Sequence, residues 1–113
     1  MEEQESLYQI IITEPAYEAF FEIAEYLHDH YSDSRATEIT SQLFEMVSTL
    51  NKHPERGTVE PRFKHRLYEY RFILFNRHRR ADIKIIYFID SEERKVFITD
   101  FFPTEKDDKK ISE

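Results

Sequence analysis

The sequence predicts an α+β domain: an N-terminal strand, then an antiparallel two-helix hairpin, then a C-terminal meander of three strands. The helices are expected to pack on one face of a mainly antiparallel sheet. Two observations predict this class. Residues 66–102 concentrate Tyr, Phe, Ile and Val in three segments separated by polar connections. Residues 16–50 instead repeat apolar residues at helical spacing in two stretches.

The first strand is predicted over residues 8–13, YQIIIT, and it stops before Glu14 and Pro15. Because proline favours the first turn of a helix, Thr13 is the predicted N-cap of the first helix. Glutamates lie largely apart from the apolar positions, so this helix is amphipathic. Its predicted apolar stripe consists of Ala16, Ala19, Phe20, Ile23, Ala24 and Leu27.

The second helix follows a polar break at residues 31–34, YSDS, which supplies capping side chains. It is expected to end near Asn51, ahead of Pro54. Residues 52–65 contain two prolines and the only glycine, which predicts a basic loop. The apolar stripe of the second helix consists of Ala36, Ile39, Leu43, Met46, Val47 and Leu50.

The meander is predicted as strands over residues 67–75, 82–90 and 95–102, with polar connections between them. Because side chains alternate across a strand, the apolar set Ile83, Ile85, Tyr87 and Ile89 is expected to face the core. The opposite face mixes charged residues with Ile86 and Phe88. Either the C-terminal tail covers this mixed face, or a partner binds it.

At 113 residues the chain is expected to form a single domain over residues 1–113. Residues 1–6 are expected to be a disordered tail, and residues from about 104 to 113 are too polar for a core, which leaves a strand extension, a helical turn or disorder open. No cysteine occurs, which excludes disulfides and thiolate chemistry. The sequence has no apolar run of about 20 residues, and its start is acidic, so a cytoplasmic protein is expected.

The net charge of −7 is unevenly distributed, because residues 1–50 carry −10 while residues 51–84 carry +6. A solubilising loop is one explanation of the basic segment, and contact with an acidic or phosphate-bearing partner is the other. The candidate target-contacting basic set is Arg62, Lys64, Arg66, Arg71, Arg77, Arg79, Arg80 and Lys84.

Three stretches carry a resemblance to a known family: residues 8–27, YQIIITEPAYEAFFEIAEYL; residues 41–57, SQLFEMVSTLNKHPERG; and residues 83–90, IKIIYFID. They resemble the RelE/ParE superfamily of toxins from bacterial type II toxin–antitoxin, or plasmid stabilisation, modules. The resemblance extends from residue 8 to about residue 110. It implies a toxin held inactive by an antitoxin whose disordered segment wraps it, in a toxin–antitoxin hetero-oligomer. The RelE branch cuts mRNA in the ribosome, and the ParE branch is associated with inhibition of DNA gyrase.

The resemblance places Lys84 where the middle-strand motif usually has arginine, and the tail offers Pro103, Thr104 and Glu105 where nucleases carry a basic residue. RNA cleavage needs proton transfer as well as charge stabilisation. Lys84 and Arg71 are suited only to the second task. The ParE-like, non-nuclease branch is therefore expected, with an essential cellular target such as DNA gyrase.

Two alternatives stay open: a RelE-like, ribosome-dependent mRNA interferase that uses Lys84 and Arg71, and a non-toxic binding module on the same scaffold. No cofactor or metal is expected, because His28 and His30 are two residues apart and do not share a helix face. The antitoxin is expected to cover the helical hairpin or the mixed sheet face, where Ile73, Ile86 and Phe88 are the candidate contacts.

Overall fold

The structure, a computed structural model, describes residues 7–63, 67–76 and 82–104. Two helices pack on one face of a five-stranded sheet. The helices are α1, Glu14–His30, and α2, Asp33–Ser48. The strands are β1, Gln9–Ile12; β2, Thr58–Val59; β3, Tyr70–Phe75; β4, Ile83–Asp90; and β5, Lys95–Pro103. Short 3₁₀ turns occupy Thr49–Asn51, Pro54–Arg56 and Pro61–Phe63.

Both helices begin at the predicted caps. The Thr13 hydroxyl accepts a hydrogen bond from the Ala16 N–H at 3.4 Å and donates to the Ile98 carbonyl at 2.9 Å. The start of α1 is thus tied directly to β5. The Ser32 hydroxyl accepts from the Arg35 N–H at 3.1 Å and caps α2. Each cap satisfies an N–H group that the first turn of a helix leaves without a partner.

The sheet has the strand order β1-β5-β4-β3-β2. The predicted meander of β3, β4 and β5 is confirmed as antiparallel, whereas β1 pairs parallel to β5. The sheet is therefore mixed. A short strand, β2, adds an edge beside β3 within the segment predicted to be a loop. A bulge at Thr99 interrupts the β4–β5 pairing, and the Thr99 hydroxyl donates to the Ile86 carbonyl at 3.2 Å.

The core lies between the helices and the sheet. This location was predicted from the apolar stripes of the two helices and from the β4 face that carries Ile83, Ile85 and Tyr87. The predicted stripe members are buried or partly buried against it. We call the other side of the sheet the outer face. The fully buried side chains of the core include Leu27, Leu43, Leu50, Ile85, Tyr87, Ile98 and Phe101.

The expectation that Ile73 shares a face with Ile86 and Phe88 is wrong. Ile73 pairs with Ile85 in the β3–β4 register, which places it on the helix-facing side, and it is buried in the core. Ile86 and Phe88 pair with Phe72 and Tyr70 on the outer face. Within the described residues, neither helix combines the length and apolarity that a membrane span requires.

Candidate functional site

Side chains from two neighbouring strands fix the segment between α2 and β3 against the sheet. The Tyr87 hydroxyl donates to the Pro54 carbonyl at 2.5 Å and accepts from the Gly57 N–H at 3.1 Å. The Arg71 guanidinium donates to the Glu55 carbonyl at 3.1 Å and to the Gly57 carbonyl at 2.8 Å. The loop is thus held by hydrogen bonds to its main chain, which other loop sequences could also supply.

Glycine is required at position 57 because its backbone lies close to Phe72 and Tyr87. A Cβ at this position would lie 2.8 Å from the Phe72 carbonyl oxygen and would overlap the Tyr87 hydroxyl. Burial raises the pKa of Tyr87 above its ordinary value, although the Gly57 N–H and the charge on Arg71 oppose that rise. The phenol therefore keeps the proton that it donates to Pro54.

A buried carboxylate, Glu60, follows β2 and binds two of the predicted basic residues. Its main-chain N–H donates to the Tyr70 carbonyl at 2.8 Å, and its side chain is 1% exposed. Glu60 Oε1 lies 3.1 Å from Lys84 Nζ. Glu60 Oε2 accepts from Arg62 Nε at 3.1 Å and from the Arg62 N–H at 3.2 Å. Three donors therefore converge on one carboxylate.

The protonation of Glu60 follows from these contacts. Burial by itself raises the pKa of a carboxyl group, but hydrogen bonds from Arg62 and Lys84 outweigh it and hold the pKa of Glu60 below its ordinary value. Aromatic rings line the two cations: Lys84 Nζ is 4.4 Å from the centre of the Phe72 ring, and the Arg62 guanidinium carbon is 5.5 Å from that of Phe102. The site is thus an ion cluster on the outer face, with a buried carboxylate at its centre.

Stacked aromatic rings extend across the rest of the outer face. The Phe88 ring lies 4.5 Å from Tyr68, 4.9 Å from Phe97 and 5.2 Å from Tyr70, measured between ring centres. Phe63 meets Tyr70 edge to face at 5.1 Å. We call these five rings the outer aromatic ladder. Phe88 is partly buried within it, and Tyr68 remains 40% exposed.

A second aromatic surface lies on the helices. Phe21 and Tyr17 on α1 are 62% and 43% exposed, and Phe44 on α2 is 39% exposed. The buried Phe20 connects them, with its ring centre 4.5 Å from that of Phe44 and 5.9 Å from that of Phe21. We call Tyr17, Phe21 and Phe44 the hairpin aromatic patch. Contiguous exposed apolar side chains of this kind mark interaction sites more often than isolated ones do.

Comparison with known proteins identifies the family. The family model described as the ParE toxin of type II toxin–antitoxin system, parDE, matches residues 10–107. This chain belongs to the ParE toxin family. A solved structure titled "Chromosomal ParDE TA system from P. aeruginosa" contains a similar fold, with a TM-score of 0.66 and 12% sequence identity. The match covers 87% of this chain and 97% of that one. A search of curated proteins finds no match.

In this ParE-family chain the described members of the predicted basic set do not share a single surface. Lys84 and Arg62 come together around Glu60 on the outer face. Arg71 pairs with Tyr87 in the β3–β4 register, so it projects from the helix-facing side. The remaining members lie outside the described residues: Lys64, Arg66, Arg77, Arg79 and Arg80.

Sequence reasoning missed Glu60, the residue that organises the outer face. Its only local signal is an acid before a proline within a basic segment, and its Lys84 partner is 24 positions away. The hairpin aromatic patch could have been predicted from the sequence, because Tyr17 and Phe21 are four residues apart and lie off the apolar stripe.

Among the described residues no group of three His, Cys, Asp or Glu side chains is placed to hold a metal ion. His28 instead bonds Asp33 at 2.9 Å.

Proposed function

We propose that this ParE-family chain is the toxin of a type II module, that it acts by binding an essential protein target such as DNA gyrase, and that a cognate antitoxin neutralises it. The observation that carries the choice of target class is that Lys84 and Arg71 project from opposite faces of the sheet. A single phosphate could not contact both. Gyrase is proposed from the family, and a cytoplasmic location follows from that target.

The contacts of these two cations further support a target other than RNA. Lys84 would have to leave Glu60 in order to stabilise charge on a phosphate, and separating a buried pair typically costs about 3–5 kcal/mol. Arg71 would have to give up two main-chain acceptors that hold the loop. Nuclease action also needs a group that moves protons in addition to one that stabilises charge.

Of the predicted target-contacting basic set, we propose Arg62 as the described member that reaches the target. Its side chain is 43% exposed although its Nε is bound to Glu60, whereas that of Lys84 is only 15% exposed. Because Arg62 is bound to Glu60 and lies near the Phe102 ring, the exposed edge of its guanidinium group has a fixed position. Such an edge suits recognition of a protein surface, where a preordered arginine loses little entropy.

We propose that the antitoxin covers the hairpin aromatic patch. Glu14 and Glu18 precede Tyr17 and Phe21 by three residues on α1, and Glu25 follows Phe21 by four. These spacings place carboxylates beside the exposed rings. A partner that matches this surface would be an amphipathic helix with apolar side chains at its centre and Lys or Arg at its rim. A second copy of this chain fits poorly, because its own patch is flanked by the same acids.

The target is tested with purified gyrase. We expect this chain to abolish ATP-dependent supercoiling of a relaxed plasmid, and an excess of the antitoxin to restore it. In a parallel assay with translating ribosomes, transcripts should stay at full length. Normal supercoiling at high molar excess of soluble toxin, together with cut transcripts, would reverse the assignment in favour of the mRNA interferase.

The antitoxin surface is tested by a pair of matched variants on α1. Phe21→Asp adds a charge to the hairpin aromatic patch, whereas Tyr26→Asp adds the same charge at a residue 50% exposed on another side of the helix, where its ring stacks on His30. We expect Phe21→Asp to weaken antitoxin binding by at least about 30-fold, the effect of losing roughly 2 kcal/mol at an interface centre. Equal effects of the two variants would exclude the patch as the centre of the interface.

A further inference from the structure

The three donors around Glu60 have the arrangement of an oxyanion site. A lysine ammonium, an arginine Nε–H and a main-chain N–H converge on the two carboxylate oxygens at 3.1 to 3.2 Å. Proteins use this set of groups to bind carboxylates and phosphates, because charge-assisted hydrogen bonds to a desolvated anion are the strong ones. Here the anion is part of the chain itself.

The donors are positioned independently of the anion. Lys84 is the second residue of β4, and Phe72 on the neighbouring strand lies beside its ammonium group. The Arg62 N–H belongs to the 3₁₀ turn Pro61–Phe63, and the Arg62 guanidinium lies near the Phe102 ring. Removal of the Glu60 side chain would therefore leave a cationic recess rather than scattered charges. The site also has an open side, because the Arg62 side chain is 43% exposed.

We propose that Glu60 is a tethered blocking anion: its carboxylate fills an oxyanion site made by Lys84, Arg62 and the Arg62 N–H, and thereby prevents an external carboxylate or phosphate from binding there. The bond that holds Glu60 in the chain gives its carboxylate a high effective concentration, so a free anion at ordinary concentrations does not displace it. Lys84 and the Arg62 N–H are in this way kept from binding nucleic acid phosphates. The inference does not depend on which target the toxin has.

The test is chemical rescue in the full chain. Glu60→Ala removes the carboxylate and leaves space for a small anion, and thermal melting is followed with sodium formate and with inorganic phosphate. Sodium chloride at the same ionic strength is the control for general salt effects. An anion that refills the site stabilises the fold by mass action, so at ten times its dissociation constant it should raise the melting temperature by roughly 6 °C. Wild-type protein should show no such saturable shift.

Two further variants make the result specific. Glu60→Gln keeps the volume of the side chain and leaves no space, so it should not respond to formate. Glu60→Ala combined with Lys84→Met removes a donor and should lose most of the response. If formate and phosphate shift the wild type and Glu60→Ala equally, or if the double variant responds as fully as Glu60→Ala, the proposal is wrong.

Glu60→Ala could also prove unfolded in chloride, since it leaves Lys84 without this carboxylate. The titration then becomes a refolding experiment read by circular dichroism. Recovery of the helical signal with formate or phosphate, but not with chloride, would support the blocking role. Failure of both anions to restore any helix would overturn it, because a site that binds oxyanions would then not exist in this chain.

Discussion

Replacement of Tyr87 by phenylalanine is expected to lower the free energy of unfolding by about 2–4 kcal/mol. The substitution leaves the buried ring in place and removes only the hydroxyl, so packing changes little. What it does remove is the acceptor of the Gly57 N–H and the donor to the Pro54 carbonyl, at 3.1 and 2.5 Å. Both of these residues are buried, and each buried polar group left without a partner costs roughly 1–3 kcal/mol. The removed hydroxyl no longer has to be desolvated, which offsets part of that sum.

The assay is equilibrium unfolding in urea followed by circular dichroism, with Tyr26→Phe as the matched control. Tyr26 is 50% exposed, so the loss of its hydroxyl should leave no buried polar group without a partner. The control should therefore change stability by less than about 0.5 kcal/mol. For a domain of this length the loss in Tyr87→Phe corresponds to a fall in melting temperature of roughly 8 to 16 °C. Equal stabilities of the two variants would refute the conclusion that the hydroxyl fixes the loop.

Three further substitutions probe the same segment. Gly57→Ala should destabilise the fold by about 1–3 kcal/mol in urea unfolding, because its Cβ would press on the Phe72 carbonyl and on Tyr87; a neutral effect would mean that β2 shifts freely. Lys84→Met should cost about 3 kcal/mol in the same assay, since it leaves the buried carboxylate with one cation fewer; a gain in stability would show that the pair is replaceable by apolar packing. The pKa of Glu60 is lowered from its ordinary 4.5, so its contribution is present above that pH and is lost as the pH falls through the folded-state pKa. The stability difference between wild type and Glu60→Gln should accordingly shrink below about pH 4.5, and a difference constant from pH 3 to 7 would contradict the ion-pair explanation.

The helices and the meander were predictable because their signals are local. The start of the first helix is marked by Thr13 before Glu14 and Pro15. The buried side of β4 is indicated by the alternation of Ile83, Ile85 and Tyr87. The parallel pairing of β1 with β5 was not predictable in this way, since it joins residues more than 80 positions apart. β2 has only two residues, which is too short for any periodicity to appear.

The error at Ile73 has a different cause. In β3 both sets of alternating residues are apolar, with Ile73 and Phe75 on one side and Phe72 and Leu74 on the other. Alternation then fixes which residues share a side but not which side faces the helices. The β3–β4 register decides this through the pairing of Ile73 with Ile85. The ion pair of Glu60 with Lys84 escaped prediction for the same reason, because only the folded sheet brings residues 24 positions apart together.

The described part of the basic segment has a mainly internal role, and this changes what its charge implies. Arg71 binds the carbonyls of the loop and Lys84 binds Glu60, so both fix residues 54–63 against the sheet, while Arg62 binds Glu60 within that segment. A net positive charge in the sequence is therefore no direct measure of attraction for nucleic acid, since a cation that is bound to an internal carboxylate or carbonyl is not placed to contact a phosphate. The exposed aromatic side chains of the hairpin aromatic patch, set among glutamates, offer more contact area to a partner than these cations do. Recognition by this toxin is accordingly expected to depend on apolar contacts, with salt altering its rate more than its affinity.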